Sequence, residues 1–177
     1  MTDACIRFYR ANERPFGVLS NLYRREVVMD GTRFRCVEDA YQSRKPRRQN
    51  VRAWLLAAPT PALVAVTAHA LLHWDIAPGW SRFRYAWMLR CLQAKFRQHA
   101  DLSELLVATG AAQIVEAANI DNEVNRRWGH VNGRGRNLLG RMLMRVRAEL
   151  GGSTYDDGEL QALIERGEAL LEASCVE

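Results

Sequence analysis

Hydrophobic and polar positions alternate early in the chain and recur at helical spacing over most of the remainder. Residues 5–9 and 25–36 alternate around the Asp30-Gly31 turn, which predicts a small antiparallel sheet. Apolar residues three and four positions apart then predict a series of helices. These helices are expected at residues 37–44, 49–57, 61–73, 80–98, 101–109 and 137–150.

Local signals set the boundaries of these elements. Pro46 ends the first helix, because the residue before a proline is pushed out of the α region. Thr60 and Pro61 supply a cap and a first-turn proline for the third helix. Residues 114–117 predict a strand, and residues 119–136 predict a loop rich in Asn, Arg and Gly. The chain therefore alternates long helices with short extended segments.

The order of these elements predicts an α+β fold, a mainly helical single domain with a small antiparallel sheet. The predicted domain spans residues 1–150. Residues 151–177 are expected to form a hinge at Gly151-Gly152-Ser153, followed by an acidic amphipathic C-terminal helix over residues 159–173. We expect that helix to pack on the rest of the chain or on a partner chain.

Length and composition exclude several classes of protein. A chain of 177 residues is long enough to bury the core of one domain. No segment approaches the length of a transmembrane helix, and the first residues lack the apolar core of a signal peptide. The four cysteines are scattered without a C-x-x-C pair, which indicates reduced thiols rather than disulfides or a zinc site. We therefore predict a cytoplasmic protein that does not associate with membranes.

Charge is distributed unevenly along the chain. Residues 1–150 carry 24 basic and 13 acidic groups, a net charge of +11, whereas residues 151–177 carry one basic and seven acidic groups, a net charge of −6. A basic body attracts phosphates, on a nucleotide or along a nucleic acid. The alternative is that the arginines only solvate the surface, since no arginine run is interleaved with aromatic residues. Composition leaves both interpretations open.

The stretch from Val37 to Lys45 carries the most informative pattern of polar residues. Glu38, Gln42 and Lys45 are spaced by four and three residues, so their side chains fall on one side of a short helix. Among 25 basic residues only Lys45 and Lys95 are lysines. A chain that uses arginine for charge is expected to keep lysine where a deprotonatable amine is needed. This side of the helix therefore offers an acid/base group and an amine to a ligand, with a solvated helix face as the alternative.

A series of landmarks in fixed order extends on both sides of this motif. They are FGVLSNLY at 16–23, DGTRF at 30–34, Trp80, Met88, AKF at 94–96, LLVATG at 105–110, IVE at 114–116, Trp128-Gly129 and GRNLLGRMLM at 135–144. The ordered set closely resembles the NADAR superfamily and its YbiA-like members over residues 6–150.

The resemblance implies an N-glycosidase that cleaves bonds between a ribose and a nitrogen base. One branch of the family removes ADP-ribose from guanine in nucleic acid, and YbiA-like members hydrolyse ribosylamino-pyrimidine intermediates of riboflavin synthesis. Such a reaction needs an acid for the departing base and a group that captures the anomeric carbon. By analogy, Glu38 is the acid/base candidate, and Lys45 is the amine that holds the opened sugar as a Schiff base. That role requires a lowered pKa of Lys45, with Arg44, Arg47 and Arg48 as candidate sources of positive charge.

Further residues at the landmarks are predicted to bind the substrate. Trp80 and Trp128 offer rings for a base to stack on, with a core tryptophan as the alternative for Trp80. Ser20, Asn21 and Tyr23 are expected to bond the ribose hydroxyls or the distal base, against ordinary turn chemistry. The predicted substrate-binding set is completed by Tyr41, Gln42, Asn125, Gly129 and Asn137, the last at a helix start that suits either a phosphate or a structural turn.

One departure from the family pattern concerns a charged position. The family usually has an aspartate three residues before its Trp-Gly pair, where this chain has Asn125. Asp121, seven residues before Trp128, is the candidate for a displaced catalytic carboxylate, with Glu123 as a further candidate. If Asn125 is the true counterpart, a charged catalytic contact is lost and activity is expected to be reduced or redirected. The alternative to an enzyme is then a catalytically weakened module that binds ADP-ribose or NAD.

Metal and acyl-transfer chemistry find little support in the sequence. His69 and His73 are four residues apart, but the H-E-x-x-H glutamate is absent and no third ligand is convincing. No Ser-His-Asp ordering or G-x-S-x-G elbow is present. We therefore expect no metal and no cofactor. The expected partners are a nucleotide-like substrate, either ADP-ribosyl or a ribosylamino-pyrimidine phosphate, and DNA.

Overall fold

The computed structural model describes residues 4–173, which form two compact units. The sheet unit comprises residues 4–23 and 96–160, and the helical unit comprises residues 24–95 and 161–173. The α-helices are α1 Val37–Gln42, α2 Gln49–Leu56, α3 Pro61–His69, α4 Trp80–Gln98, α5 Ala100–Ala108, α6 Glu123–Trp128, α7 Leu138–Glu149 and α8 Gly158–Ala173. The strands are β1 Cys5–Phe8, β2 Val27–Met29, β3 Thr32–Phe34, β4 Gln113–Ala118 and β5 His130–Val131.

The sheet unit is built around a three-stranded parallel sheet. Its strand order is β1-β4-β5, with Cys5 opposite Gln113. α7 packs on β4, and Gly140 permits the close approach, because a Cβ there would lie 2.1 Å from the carbonyl oxygen of Ile114. The apolar stripe of α7 is buried at Leu138, Leu139, Met142, Leu143 and Val146.

The helical unit begins with the two-stranded antiparallel hairpin that the sequence predicts. β2 and β3 pair with Val27 opposite Phe34. The chain reverses at Asp30 and Gly31, whose φ values of 49° and 74° lie in the left-handed region. Two consecutive left-handed residues match the twist of the flanking strands, and aspartate followed by glycine adopts them readily.

α3 begins as its capping sequence predicts. Oγ1 of Thr60 accepts a hydrogen bond from the N–H of Leu63 at 3.3 Å, and Pro61 occupies the first turn. The helix buries Val64 and Ala68 in a small apolar cluster shared with α2. This burial fixes the carbonyl end of α3, which reaches the candidate site described below.

The C-terminal segment forms helix α8, which packs on α4 within the helical unit. A Cβ at Gly167 would lie 3.0 Å from the carbonyl oxygen of Arg82 and 3.1 Å from Cβ of Ala86. Glycine lowers the stability of an isolated helix. Here it permits two helices to approach closely.

The α+β, mainly helical fold class with a small antiparallel sheet is confirmed, and three segments differ from expectation. Residues 5–8 pair in parallel with β4 instead of joining the hairpin, because alternation marks a half-buried strand without identifying its partner. The expected loop at 119–136 contains α6 and β5. α3 ends at His69, and a short 3-10 helix at His73–Asp75 follows it.

The structure also bears on membrane spans, metal sites and disulfide bonds. Within residues 4–173, the helices are too short or too polar to span a bilayer. The same residues hold no group of three or more His, Cys, Asp or Glu side chains arranged for a metal ion. Cys5, Cys36 and Cys91 are free thiols, and Cys175 lies outside the described residues.

Candidate active site

Helix α1 brings together the polar residues that spacing placed on one side. Nε2 of Gln42 donates a hydrogen bond to Oε1 of Glu38 at 2.8 Å. Lys45 lies just past the helix end, and its N–H donates to the carbonyl oxygen of Gln42 at 3.1 Å, so the turn continues the helical path. Glu38, Gln42 and Lys45 are called the acid–amine cluster below.

Glu38 is in surroundings that favour its protonated form. Its pKa is raised from the ordinary value, chiefly because burial removes water from the carboxylate, and the charge of Asp39 acts in the same direction. The hydrogen bond from Gln42 and the positive charge of Lys45 oppose this rise. Because desolvation is the largest effect, Glu38 keeps its proton to higher pH than an exposed glutamate.

Lys45 is in surroundings that favour its uncharged form. Its side chain is buried, and burial is the main cause of its lowered pKa, followed by the positive charge of Arg84. The charge of Glu38 opposes the lowering. Nζ donates a hydrogen bond to the carbonyl oxygen of Ala68 at 2.5 Å. A neutral amine spends one N–H on this bond and keeps its lone pair, which is what a nucleophile requires.

The backbone around Lys45 is fixed by the segment that follows α3. The carbonyl oxygen of Lys45 accepts a hydrogen bond from the N–H of Ala77 at 2.8 Å, and the N–H of Arg47 donates to the carbonyl oxygen of Asp75 at 2.7 Å. The guanidinium of Arg48 forms an ion pair with the carboxylate of Asp75. Asp75 therefore anchors the turn that carries the amine.

The positive charge beside Lys45 comes from a residue that sequence reasoning missed. The sequence suggested the arginines adjacent in the chain, whereas the cation that lowers the pKa of Lys45 is Arg84 on α4. Arg44 instead lies over the ring of Trp87 at 4.8 Å and pairs with Asp30 at 3.0 Å. No local signal could have identified Arg84, because it is brought near by the packing of a distant helix.

Tyr41 and Trp80 lie in a buried aromatic cluster of the helical unit. Their ring centroids are 5.0 Å apart, and Trp80 meets Phe83 edge-on at 5.4 Å. Tyr41 is 5% exposed and Trp80 is 6% exposed. The rings therefore pack against protein, as the core alternative for Trp80 supposes, and their contact with a substrate stays a prediction.

The remaining predicted site residues lie in the sheet unit. Two of them, Ser20 and Asn137, are buried and form hydrogen bonds with backbone groups. Oγ of Ser20 accepts a hydrogen bond from the N–H of Leu22 at 3.3 Å. Oδ1 of Asn137 accepts from the N–H of Glu116 at 3.1 Å, and its Nδ2 donates to the carbonyl oxygen of Ile114 at 2.8 Å. Asn137 therefore ties the start of α7 to β4, and its contact with a phosphate stays a prediction.

Turns place the other binding candidates of this unit. Asn21 and Tyr23 follow the 3-10 helix at Phe16–Leu19, and the N–H of Tyr23 donates to the carbonyl oxygen of Ser20 at 3.2 Å. Trp128 ends α6, and Gly129 follows it. A Cβ at Gly129 would lie 2.3 Å from the carbonyl oxygen of a β4 residue, so glycine allows the Trp-Gly pair to sit against that strand.

The three candidates for the family's aspartate position have different surroundings. Asp121 pairs with Arg126 at 2.6 Å, with 49% of the aspartate side chain exposed. Glu123 is 85% exposed and pairs with an arginine of its own helix. Asn125 donates its side-chain amide to a backbone carbonyl oxygen five residues earlier, at 2.7 Å. Asp121 is the more enclosed of the two carboxylates, and its catalytic role stays a prediction.

Comparison with known proteins gives this geometry its context. The family model of the NADAR domain matches residues 7–151, close to the range over which the landmarks indicate the resemblance. N-glycosidase YbiA of Escherichia coli strain K12 is 30% identical over 151 residues, which cover 85% of this chain and 91% of that protein. N-glycosidase Npun_R5314 of Nostoc punctiforme is 30% identical over 149 residues, covering 82% of this chain and 92% of that protein.

Two further similarities concern a longer protein and a solved structure. The riboflavin biosynthesis protein VVA0006 of Vibrio vulnificus is 32% identical over 146 residues, covering 82% of this chain and 38% of that protein. The NMR structure of Escherichia coli YbiA matches with a TM-score of 0.74 and 30% identity, covering 85% of this chain and 87% of that one. Sequence and fold therefore agree on the same set of relatives.

Proposed function

Since the chain belongs to the NADAR family, we propose that it is an N-glycosidase that cleaves the bond between a ribose and a base in a nucleotide-like substrate. The observation that carries the proposal is the acid–amine cluster, in which desolvation raises the pKa of Glu38 and lowers that of Lys45. A protonated carboxyl group and an uncharged amine are the forms that this reaction needs at its start. The names of the two N-glycosidase relatives point to the same reaction class.

The first half of the reaction releases the base. Glu38 gives its proton to the base nitrogen as the C1–N bond breaks, and the bonding electron pair leaves with the base. The lone pair of Lys45 then forms a bond from Nζ to C1, which carries the developing positive charge. One Nζ proton passes to the Glu38 carboxylate. Glu38 passes this proton to the ring oxygen as the C1–O bond opens, and the nitrogen lone pair forms the C1–Nζ double bond of a protonated Schiff base.

The second half returns the enzyme to its starting state. Water adds to C1 of the Schiff base, while the Glu38 carboxylate takes a proton from the water. The Glu38 carboxyl group then gives this proton to Nζ as the C1–Nζ bond breaks, and the proton of the new C1 hydroxyl passes to the Glu38 carboxylate as the sugar aldehyde forms. One water is consumed, and the products are the free base and the free sugar. Glu38 thus alternates between acid and base, which its raised pKa favours.

For the substrate, we propose ADP-ribosylated guanine in DNA. The net charge of +11 over residues 1–150 favours a target that carries several phosphates. Ribosylamino-pyrimidine intermediates of riboflavin biosynthesis are the second candidate, supported by the similarity to the Vibrio vulnificus protein. Asp121 stays the candidate for a third catalytic residue. If Asn125 replaces that carboxylate, a binding module for ADP-ribose or NAD is the alternative.

Mass spectrometry of a guanine-ADP-ribosylated DNA oligonucleotide tests the proposal. We expect the wild type to remove the ADP-ribosyl mass and Lys45→Ala to leave the oligonucleotide intact. Arg33→Ala is the matched control, because it removes an exposed cation of the same unit, with 74% of its side chain exposed. This control is expected to turn over as the wild type does.

Reduction with sodium borohydride during turnover sharpens the test, because it converts a Schiff base into a stable amine. The sugar mass is expected on the peptide that contains Lys45. If the oligonucleotide stays intact while a ribosylamino-pyrimidine is consumed, the ribosylamino-pyrimidine is the substrate. If ADP-ribose binds tightly and neither substrate yields product, the chain is a binding module and not an N-glycosidase.

A further inference from the structure

We propose a second ligand site, a cavity in the sheet unit that binds the phosphate group of a small phosphorylated metabolite. The cavity has a volume of about 530 Å³, which falls in the range of small-molecule sites. Its basic and hydroxyl-bearing lining includes His130, Arg141, Arg147, Ser153, Thr154 and Tyr155. None of the acid–amine cluster lines it, so the inference does not rest on the proposed N-glycosidase function.

Arg147 supplies a buried positive charge that no carboxylate of the described chain offsets. It is 2% exposed, and its Nη1 donates to the carbonyl oxygen of Ala112 at 2.8 Å and to Oγ1 of Thr109 at 2.9 Å. Over residues 4–173, its Nε and Nη2 have no hydrogen-bond partner. A guanidinium cannot shed its charge by deprotonation, so burial without a counter-ion is costly. An anion in the adjoining cavity would offset that charge.

Other donors line the same cavity without a partner. The side chains of His130, Ser153 and Thr154 make no hydrogen bond or ion pair within the part of the chain that the structure describes. A phosphate monoester has three terminal oxygens, so it can accept from a guanidinium and from hydroxyl groups at once. The volume exceeds that of a phosphate ion, which leaves room for the organic part of a metabolite.

The acidic residues after α7 neutralise two neighbouring arginines and leave Arg147 alone. Asp157 accepts two hydrogen bonds of 2.6 Å from Arg141, and Glu159 pairs with Arg136 at 2.6 Å. Neither carboxylate lines the cavity. The pairs fix Arg141 and Arg136 in place, and Arg147 remains the charge that selects an anion.

Isothermal titration calorimetry with inorganic phosphate and with ribose 5-phosphate tests this site, at an ionic strength held constant with chloride. We expect one equivalent to bind, the sugar phosphate more tightly than the ion. Thr154→Glu adds a carboxylate to the lining and is expected to weaken binding at least about tenfold. Arg145→Gln removes a charge from α7, the helix that carries Arg147, at a position outside the cavity, and this variant is expected to bind as the wild type does.

Three outcomes would overturn the proposal. The first is that neither compound binds the wild type, and the second is that Arg145→Gln weakens binding as much as Thr154→Glu. The third is loss of binding in Lys45→Ala, which would assign the phosphate to the acid–amine cluster. Circular dichroism checks the fold of each variant. If Thr154→Glu is unfolded, the Ser153→Ala, Thr154→Val double variant removes two donors and makes the same test.

Discussion

Two regions of the molecule differ in whether their buried ionisable groups stay charged. They are the acid–amine cluster of the helical unit and the arginine-lined cavity of the sheet unit. Glu38 and Lys45 lie within each other's electrostatic influence, and desolvation pushes both toward their neutral forms. Arg147 is also buried, but no carboxylate of the described chain faces it. A buried glutamate becomes neutral by taking up a proton, and a buried lysine becomes neutral by losing one. An arginine stays charged.

Residue type sets the kind of function that each region supports. Groups whose pKa values are pushed toward neutrality can give and take protons during a reaction. A permanent buried cation can only be satisfied by an anion, which suits binding. The first region is therefore the candidate for chemistry, and the second is the candidate for recognition.

Lys45→Arg is expected to have the largest effect. It keeps a cation but removes the neutral amine, so kcat is expected to fall by about 10³-fold or more. Single-turnover kinetics on the ADP-ribosylated oligonucleotide measure the change. A fall of less than about tenfold would mean that the charge of Lys45, and not its lone pair, is what matters.

Glu38→Gln is expected to lower kcat by about 10²-fold, because the amide cannot protonate the departing base. Substrate affinity is expected to stay near the wild-type value, since the amide keeps the size and hydrogen-bonding capacity of the side chain. Glu26→Gln, which removes an exposed carboxylate of the same unit, serves as the control. Equal activity of Glu38→Gln and wild type would remove Glu38 from the acid role.

Asp157→Asn is expected to lower the free energy of unfolding by about 2 kcal/mol at pH 7. The hydrogen bonds from Arg141 are the main reason that the pKa of Asp157 is lowered to about 2. A carboxylate with a lowered pKa contributes stability above its unfolded pKa of about 3.9, and that contribution is lost as the pH falls through about 2.

Urea unfolding of this variant across that pH range measures the effect. The difference from the wild type is expected to be full at pH 7 and to disappear in acid. Asp156→Asn, which changes the exposed neighbour, is the control and is expected to be close to neutral. If both variants lose the same stability, the ion pair with Arg141 is not the cause.

Arg84→Gln is expected to have the smallest effect, a shift in pH dependence. The positive charge of Arg84 helps to lower the pKa of Lys45, so its removal raises that pKa. The acid limb of the kcat profile, where Lys45 becomes protonated, is expected to move to higher pH, while the rate above the limb stays the same. Arg82→Gln, at an exposed position of the same helix, is expected to leave the limb in place.

Features that depend on neighbours along the chain can be predicted from the amino-acid sequence. Spacing placed Glu38 and Gln42 on one side of α1, and the hydrogen bond between them follows from that spacing. The cap at Thr60 and the reversal at Asp30-Gly31 were also predictable, because both depend on the conformational preferences of a few adjacent residues.

Tertiary packing sets which distant segments of the chain meet. It paired β1 with β4 in parallel, and it placed Arg84 beside Lys45. It also left Arg147 without a carboxylate in a cavity whose lining comes from separate elements. Periodicity reports which side of an element is buried but not what covers it. The partners are chosen by packing the whole chain, and the charge that each buried group meets is fixed only then.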